Sequence, residues 1–190
     1  ALVKQRQGLR RQGQGDLGRG HVTGFDQQGL QVDGAQIAVV TDAGTPGISD
    51  PGMILVQACR QMGLDVFPIP GASAVSAALS ASGLPTEIFS FLGFLPPESA
   101  ARRQVLQAWQ NVPSTLVCYE APQRVVDLMK DIQAVFGVCE VVIARELTKL
   151  YEQFYQGTPL ELIEQIEASV FKGEVVVMIA PRIASENNAV

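Results

Sequence analysis

Histidine is almost absent from this chain: His21 is the only one. Ser-His-Asp or Cys-His catalysis is therefore disfavoured, because the general base would have to come from an atypical leader. A metal centre is disfavoured as well. The three cysteines, Cys59, Cys118 and Cys139, lie far apart and form no C-x-x-C, and they have no second histidine to join them. An odd number of scattered cysteines fits reduced, mostly buried thiols and a cytoplasmic location. No apolar run approaches the roughly 18 residues of a membrane span. No signal-peptide pattern opens the chain, and Ala1 in place of Met leads us to expect a fragment or a processed chain. Charge is also scarce: charged residues make up 17% and the formal net charge is −5. A whole-chain basic footprint for nucleic acid is absent, so any RNA contact needs a local patch such as Arg102 and Arg103.

What is present is apolar substance and turn chemistry. Hydrophobic residues form 47% of 190, enough for one large core or two small ones. The distribution is uneven. Residues 1–35 contain eight Gly and seven Gln, with five Lys/Arg and three Asp/Glu. Their apolar residues follow neither period 2 nor period 3.6. We expect this leader to be loosely structured and solvated rather than a basic RNA-binding arm.

From residue 36 the text alternates between strand and helix. QIAVVT (36–41) reads as a strand. Asp50-Pro51-Gly52 opens a helix, with Asp50 as its cap and Pro51 at the first position. Ile54, Leu55, Ala58 and Met62 form its apolar face, and Gly63 ends it. LDVFPI (64–69) is a strand, and Pro70-Gly71 leads into the small-residue helix ASAVSAALSAS, which ends at Gly83. A second series follows. Strands are expected at 88–93, 114–120, 139–145 and 174–180, with another around YEQFYQ. Helices are expected at 98–110, from Pro122 through Phe136, and at 159–168. Thr158-Pro159-x-Glu161 has the form of a capping box. We therefore expect two α/β domains, 36–85 and 86–181, dividing near Leu84-Pro85, followed by a tail at 182–190.

Five turn segments fall at strand ends, where α/β folds bind ligands: DAGTPGISDPG, PGAS, FLPP, YEAPQR and RELTK. In the first, Gly44 and Gly47 permit positive φ and close backbone approach, while Thr45, Ser49, Asp42 and Asp50 supply polar groups. The loop is neither a Walker A nor a G-x-G-x-x-G motif. Asp50 alone reads better as a helix cap, but the whole string reads as a ligand loop. PGAS exposes amides at a helix start. Glu120 in YEAPQR can equally be a helix-dipole partner, and RELTK can equally be a surface ion-pair cluster. With nucleophile, base and metal disfavoured, there remains chemistry by positioning, with a reactive cofactor bringing the electrophile.

VTDAGTPGISDPG, PIPGASAVSAALSASGLPT, FLGFLPP, YEAPQR, ARELTK and KGEVVVMI occur in this order. Together they resemble the tetrapyrrole methylase family, in its branch acting on small-subunit ribosomal RNA. The resemblance covers about residues 36–181. It implies an α/β, two-domain tetrapyrrole-methylase-like fold binding S-adenosyl-L-methionine in the interdomain cleft, usually as a homodimer, with no metal and no membrane. The implied reaction moves a methyl group to the 2′-hydroxyl of a cytidine ribose in 16S rRNA of the small ribosomal subunit.

By motif, the resemblance implies that Asp42, Ala43, Gly44, Thr45 and Pro46 line the cofactor cleft, with Pro70, Gly71, Ala72 and Ser73. It implies that Tyr119, Glu120, Gly173 and Glu174 flank it. Arg145, Glu146 and Lys149 would face the reacting ribose, Lys149 or Glu146 assisting proton loss. Residues 1–35 match none of the family's early strings, the G-N-L-x-D-type loop, the D-T-R stretch and the His/Asn-rich segment. The first domain is thus expected to be truncated, its central strand missing and its strand edges unpaired. Two other readings follow from the same residues: a relative methylating a tetrapyrrole ring, against which RELTK and FLPP argue, and a non-catalytic member retaining dimerisation or RNA binding.

Overall fold

The computed structural model of the chain describes residues 2–4, 37–168 and 170–180. The expectations of a loose leader and of a tail at 182–190 fall outside these, apart from Leu2–Lys4. The chain forms two compact units that divide between Ala72 and Ser73.

In the first unit, Leu2–Lys4 (β1) lies between Ile37–Ala38 (β2) and Asp65–Phe67 (β3), antiparallel to both. The sequence pointed to an empty central position; a short piece of the leader fills it. Backbone pairing asks only for an extended segment with free N–H and C=O groups, so hydropathy period did not reveal it. Helix α1 (Met53–Gln61) buries Leu55 and Cys59 beside Leu64, with Val39 and Val66 partly buried against them. The expected face is only partly correct, since Ile54 and Met62 are exposed. Asp50 is not the cap: Gly52 holds that position at φ 145°, a value closed to most L-residues, and no side chain caps the helix.

The second unit is a five-stranded sheet flanked on both faces. Its strands are Phe89–Phe94 (β4), Thr115–Glu120 (β5), Val141–Arg145 (β6), Gln153–Gly157 (β7) and Val175–Ile179 (β8), in the order β4-β5-β8-β6-β7. Only β4 and β5 pair in parallel; the other neighbours are antiparallel. Side chains alternate between two cores, as the strand period of two requires. Val175, Val177 and Ile179 of β8 join Leu116, Cys118, Val141 and Ile143 beneath three helices, Ser99–Trp109 (α3), Val125–Phe136 (α4) and Pro159–Glu167 (α5). Val176 and Met178 face the other way, with Val117, Val142 and Ala144, onto Ala74–Ser82 (α2). β8 is buried on both faces, which explains its unbroken apolar text.

Helix α2 packs through Val75, Ala78 and Leu79 on this sheet. The sequence reading placed it in the first domain; its small residues let a sheet approach closely, and the sheet that does so belongs to the second unit. Ser73 caps α2 by accepting from the Ser76 amide, and Gly83 closes it in the left-handed conformation at φ 73°. Thr158 and Glu161 form the expected capping box of α5. A turn of 3-10 helix, Pro122–Arg124, precedes α4, whose Val125, Leu128, Met129, Ile132 and Phe136 point inward as their spacing predicts.

Candidate active site

In the first unit the structure joins the two expected cofactor loops. The Thr45 hydroxyl donates to the Ala72 carbonyl oxygen at 2.9 Å. A Cβ added at Gly44 would come within 3.9 Å of that same oxygen, and one at Gly71 within 3.9 Å of Thr45 Oγ1. Both distances are ordinary van der Waals contact, so the two loops lie side by side without crowding at either glycine. Gly44, Gly47 and Ser49 all have positive φ, at 71°, 83° and 53°. The loop is thus shaped by backbone conformations that its glycines permit, and Asp42 and Ala43 lie exposed on it.

In the second unit the motifs gather at one edge of the sheet. Register places Glu120 of β5 opposite Val175 of β8, and Val175 opposite Arg145 of β6. Arg145 in turn faces Gln153 of β7. YEAPQR, KGE and ARELTK, remote in sequence, therefore begin or end in one row. Phe94 extends the edge on β4, where a register shift after Phe91 turns its ring edge-on to Tyr119, with centroids 5.5 Å apart.

Four of the expected residues touch in a tight cluster. One Glu146 carboxylate oxygen accepts from the Glu174 amide at 2.8 Å and from Lys149 Nζ at 3.0 Å. Lys149 Nζ also reaches the Glu174 carboxylate at 3.1 Å. The Glu146 amide donates back to the Glu174 carbonyl at 2.9 Å. Gly173, at φ 100°, sits against the Glu146 side chain so closely that a Cβ there would overlap the carboxylate. Arg145 is occupied rather than free. Its Nε donates to the Lys172 carbonyl and an Nη to Gln153 Oε1, both at 2.5 Å, and its guanidinium lies over the Phe171 ring. Sequence reasoning did not single out Gln153, Lys172 or Phe171, since nothing in their own spacing marks them.

The charges of the pair follow from these contacts. The hydrogen bond from the Glu174 amide, with that from Lys149, holds the Glu146 carboxyl below the usual range. Hydrogen bonds to Glu146 and then Glu174 push the Lys149 ammonium up. Near neutral pH the pair is carboxylate and ammonium, so Lys149 offers a positive charge rather than a free amine.

Tyr119 and Glu120 are placed differently. Burial pushes the Tyr119 phenol up, against a hydrogen bond from the Val75 backbone. Glu120 is buried and accepts through one oxygen from the Ala121 amide at 2.8 Å and Arg124 Nε at 2.7 Å. Among the described residues its other oxygen has no hydrogen-bond partner.

The expected RNA patch needs correction. Arg102 is 2% exposed; its guanidinium is spent on Asp131 and on the carbonyls of Pro96 and Pro97. Arg103 is 46% exposed and also bonds Asp131. Adjacent residues on a helix point about 100° apart, so one arginine faces the core and the other the solvent. Cys59 and Cys118 are buried and Cys139 partly so. Burial first, then the Glu120 carboxylate, pushes the Cys118 thiol up to about 12, which leaves it inert. Among the described residues, no group of three or more His, Cys, Asp or Glu is arranged to hold a metal. None of their helices is long and apolar enough to cross a membrane.

The flanked α/β sheet has counterparts among solved structures. The methyltransferase CobJ superposes with a TM-score of 0.56 at 14% identity, over 73% of this chain and 62% of that one. A diphthine synthase structure from Entamoeba histolytica gives 0.51 at 14% identity, over 75% and 64%. The sequence profile of the Tetrapyrrole (Corrin/Porphyrin) Methylases matches residues 30–163, and the chain belongs to that family.

Two relatives are both called ribosomal RNA small subunit methyltransferase I. The protein of Halalkalibacterium halodurans is 45% identical over 148 residues, covering 78% of this chain and 51% of the relative. That of Vibrio cholerae is 49% identical over 164 residues, covering 81% and 57%. The chain thus spans about half the length of the curated relatives it matches.

Proposed function

We propose that this chain is the catalytic part of an S-adenosyl-L-methionine-dependent methyltransferase acting on 16S rRNA of the small ribosomal subunit. The acceptor is the 2′-hydroxyl of a cytidine ribose, and the working unit is a homodimer. One observation carries the reading: relatives called ribosomal RNA small subunit methyltransferase I are 42–49% identical over 148–164 residues.

The residues present fit the cofactor. The strip between the Asp42–Pro46 and Pro70–Ala72 loops offers main-chain donors and acceptors, and exposed Asp42 offers a carboxylate for an amino or ribose group. In the second unit, Tyr119, Glu120, Gly173 and Glu174 are further cofactor candidates by their motifs. Bound S-adenosylmethionine supplies an electrophilic methyl on a positive sulfur.

The chain's own work is then alignment and electrostatics. The Lys149 ammonium faces the ribose and favours oxyanion character at the 2′-oxygen, easing release of its proton to solvent water as the oxygen–carbon bond forms. Arg145, braced by Gln153 and Lys172, fixes the edge on which Lys149 stands. Calorimetric titration with S-adenosylmethionine, followed by methyl transfer to 30S subunits and to a porphyrinoid acceptor, tests this. One site per chain and transfer to 30S alone support it. Transfer to the porphyrinoid alone, or no binding by folded chain, overturns it.

A further inference from the structure

We propose that Glu146 is a positioning residue, not the general base, and that the glycine at 173, which its φ of 100° already favours, leaves the space in which the Glu146 carboxylate sits. This rests on the reading that Lys149 faces the substrate. The observations are geometric. A single oxygen of Glu146 holds both the Lys149 ammonium and the Glu174 amide. Both donors hold that oxygen in a fixed place, so only the second carboxylate oxygen remains for any third group. The same hydrogen bonds hold the Glu146 carboxyl below the usual range, which weakens it as a base.

The backbone is bent to build this arrangement. Glu146 and Thr148 both lie at positive φ, at 52° and 63°, a region that residues with a Cβ seldom enter. The bend brings the Lys149 amide to the Glu146 carbonyl at 3.0 Å and turns the Glu146 side chain back over Gly173. ARELTK and KGE, 28 positions apart at Glu146 and Glu174, thus close into one clamp, with Lys149 as its exposed tip.

The test uses the full chain and two readouts. The first is hydrogen exchange at the Glu174 amide. Glu146→Gln retains an acceptor and should keep exchange slow; Glu146→Ala should speed it roughly tenfold, the equivalent of one lost hydrogen bond. Gly173→Ala should speed it at least similarly, and adding it to Glu146→Ala should bring less than the sum of the two, since only the backbone strain of a Cβ at φ 100° then remains. Fully additive effects, or unchanged exchange in Glu146→Ala, overturn the clamp.

The second readout is methyl transfer to 30S subunits. Glu146→Gln should retain most of kcat while Glu146→Ala lowers it at unchanged cofactor affinity. An equal loss of about a hundredfold or more in both would indicate a proton-transfer role and overturn the proposal. Absence of transfer by the unsubstituted chain would count against the functional reading, while the exchange pattern still decides the clamp.

Discussion

Arg102 on α3 and Asp131 on α4 form a buried ion pair, with Nη2 2.6 Å from Oδ2 and each side chain 2% exposed. The same carboxylate accepts from Ser99 at 2.7 Å and from Arg103. Arg102 in turn reaches the carbonyls of Pro96 and Pro97. The pair thus ties the FLPP turn, α3 and α4 together, and its absence from any solvent-facing patch removes Arg102 from the list of RNA contacts.

Removing one partner leaves the other charged and dry. Asp131→Ala should cost about 3–5 kcal/mol, the usual penalty for breaking a buried pair. Arg103→Ala, at an exposed position, should cost about 1 kcal/mol or less. Urea unfolding of both variants checks this, and similar small losses in the two would contradict it.

Acid should act through the same residue. Burial pushes the Asp131 carboxyl up, but hydrogen bonds from Arg103, Ser99 and Arg102 outweigh it and hold the group below its usual range. A depressed folded value stabilises above the unfolded one and is lost as pH falls through the folded value. Melting temperature should therefore fall below about pH 4. Asp131→Asn should start lower and show a shallower acid decline; parallel curves would contradict the assignment.

Thr45→Val removes the hydroxyl that joins the two loops of the first unit while keeping its shape. S-adenosylmethionine affinity should weaken roughly threefold to tenfold, the effect of one hydrogen bond. Calorimetry reads this directly. An unchanged dissociation constant would separate the Thr45–Ala72 bond from cofactor binding.

Lys149→Ala should lower kcat by roughly a hundredfold, the scale for losing one electrostatic donor, with cofactor affinity kept. Because its neighbours push the Lys149 ammonium up, the alkaline limb of the wild-type profile should lie above the ordinary lysine range. Near-normal turnover in Lys149→Ala would remove it from the reaction.

Most helices and strands were legible because their period and punctuation agree. Gly83, the Thr158 capping box and the α4 stripe each say one thing. Two of the mismatches have causes that lie in the backbone. Asp50-Pro51-Gly52 contains two competing starts, and the chain uses Gly52, whose φ no side-chain argument reveals. The strand at Leu2–Lys4 depends on backbone pairing, which leaves no pattern in three residues.

The site was legible as motifs but not as geometry. Nothing in RELTK shows that Glu146 turns back onto Gly173, because the contact needs the register that sets Arg145 against Val175. Asp131 did carry a signal. It follows Leu128 by three residues on an otherwise apolar stripe, and a charge at such a position calls for a buried partner.

The most direct test is transfer of labelled methyl from S-adenosylmethionine to 30S subunits, followed by complete digestion of the 16S rRNA. The account predicts label in 2′-O-methylcytidine. Label in a base, in another nucleoside, or nowhere despite bound cofactor would contradict it.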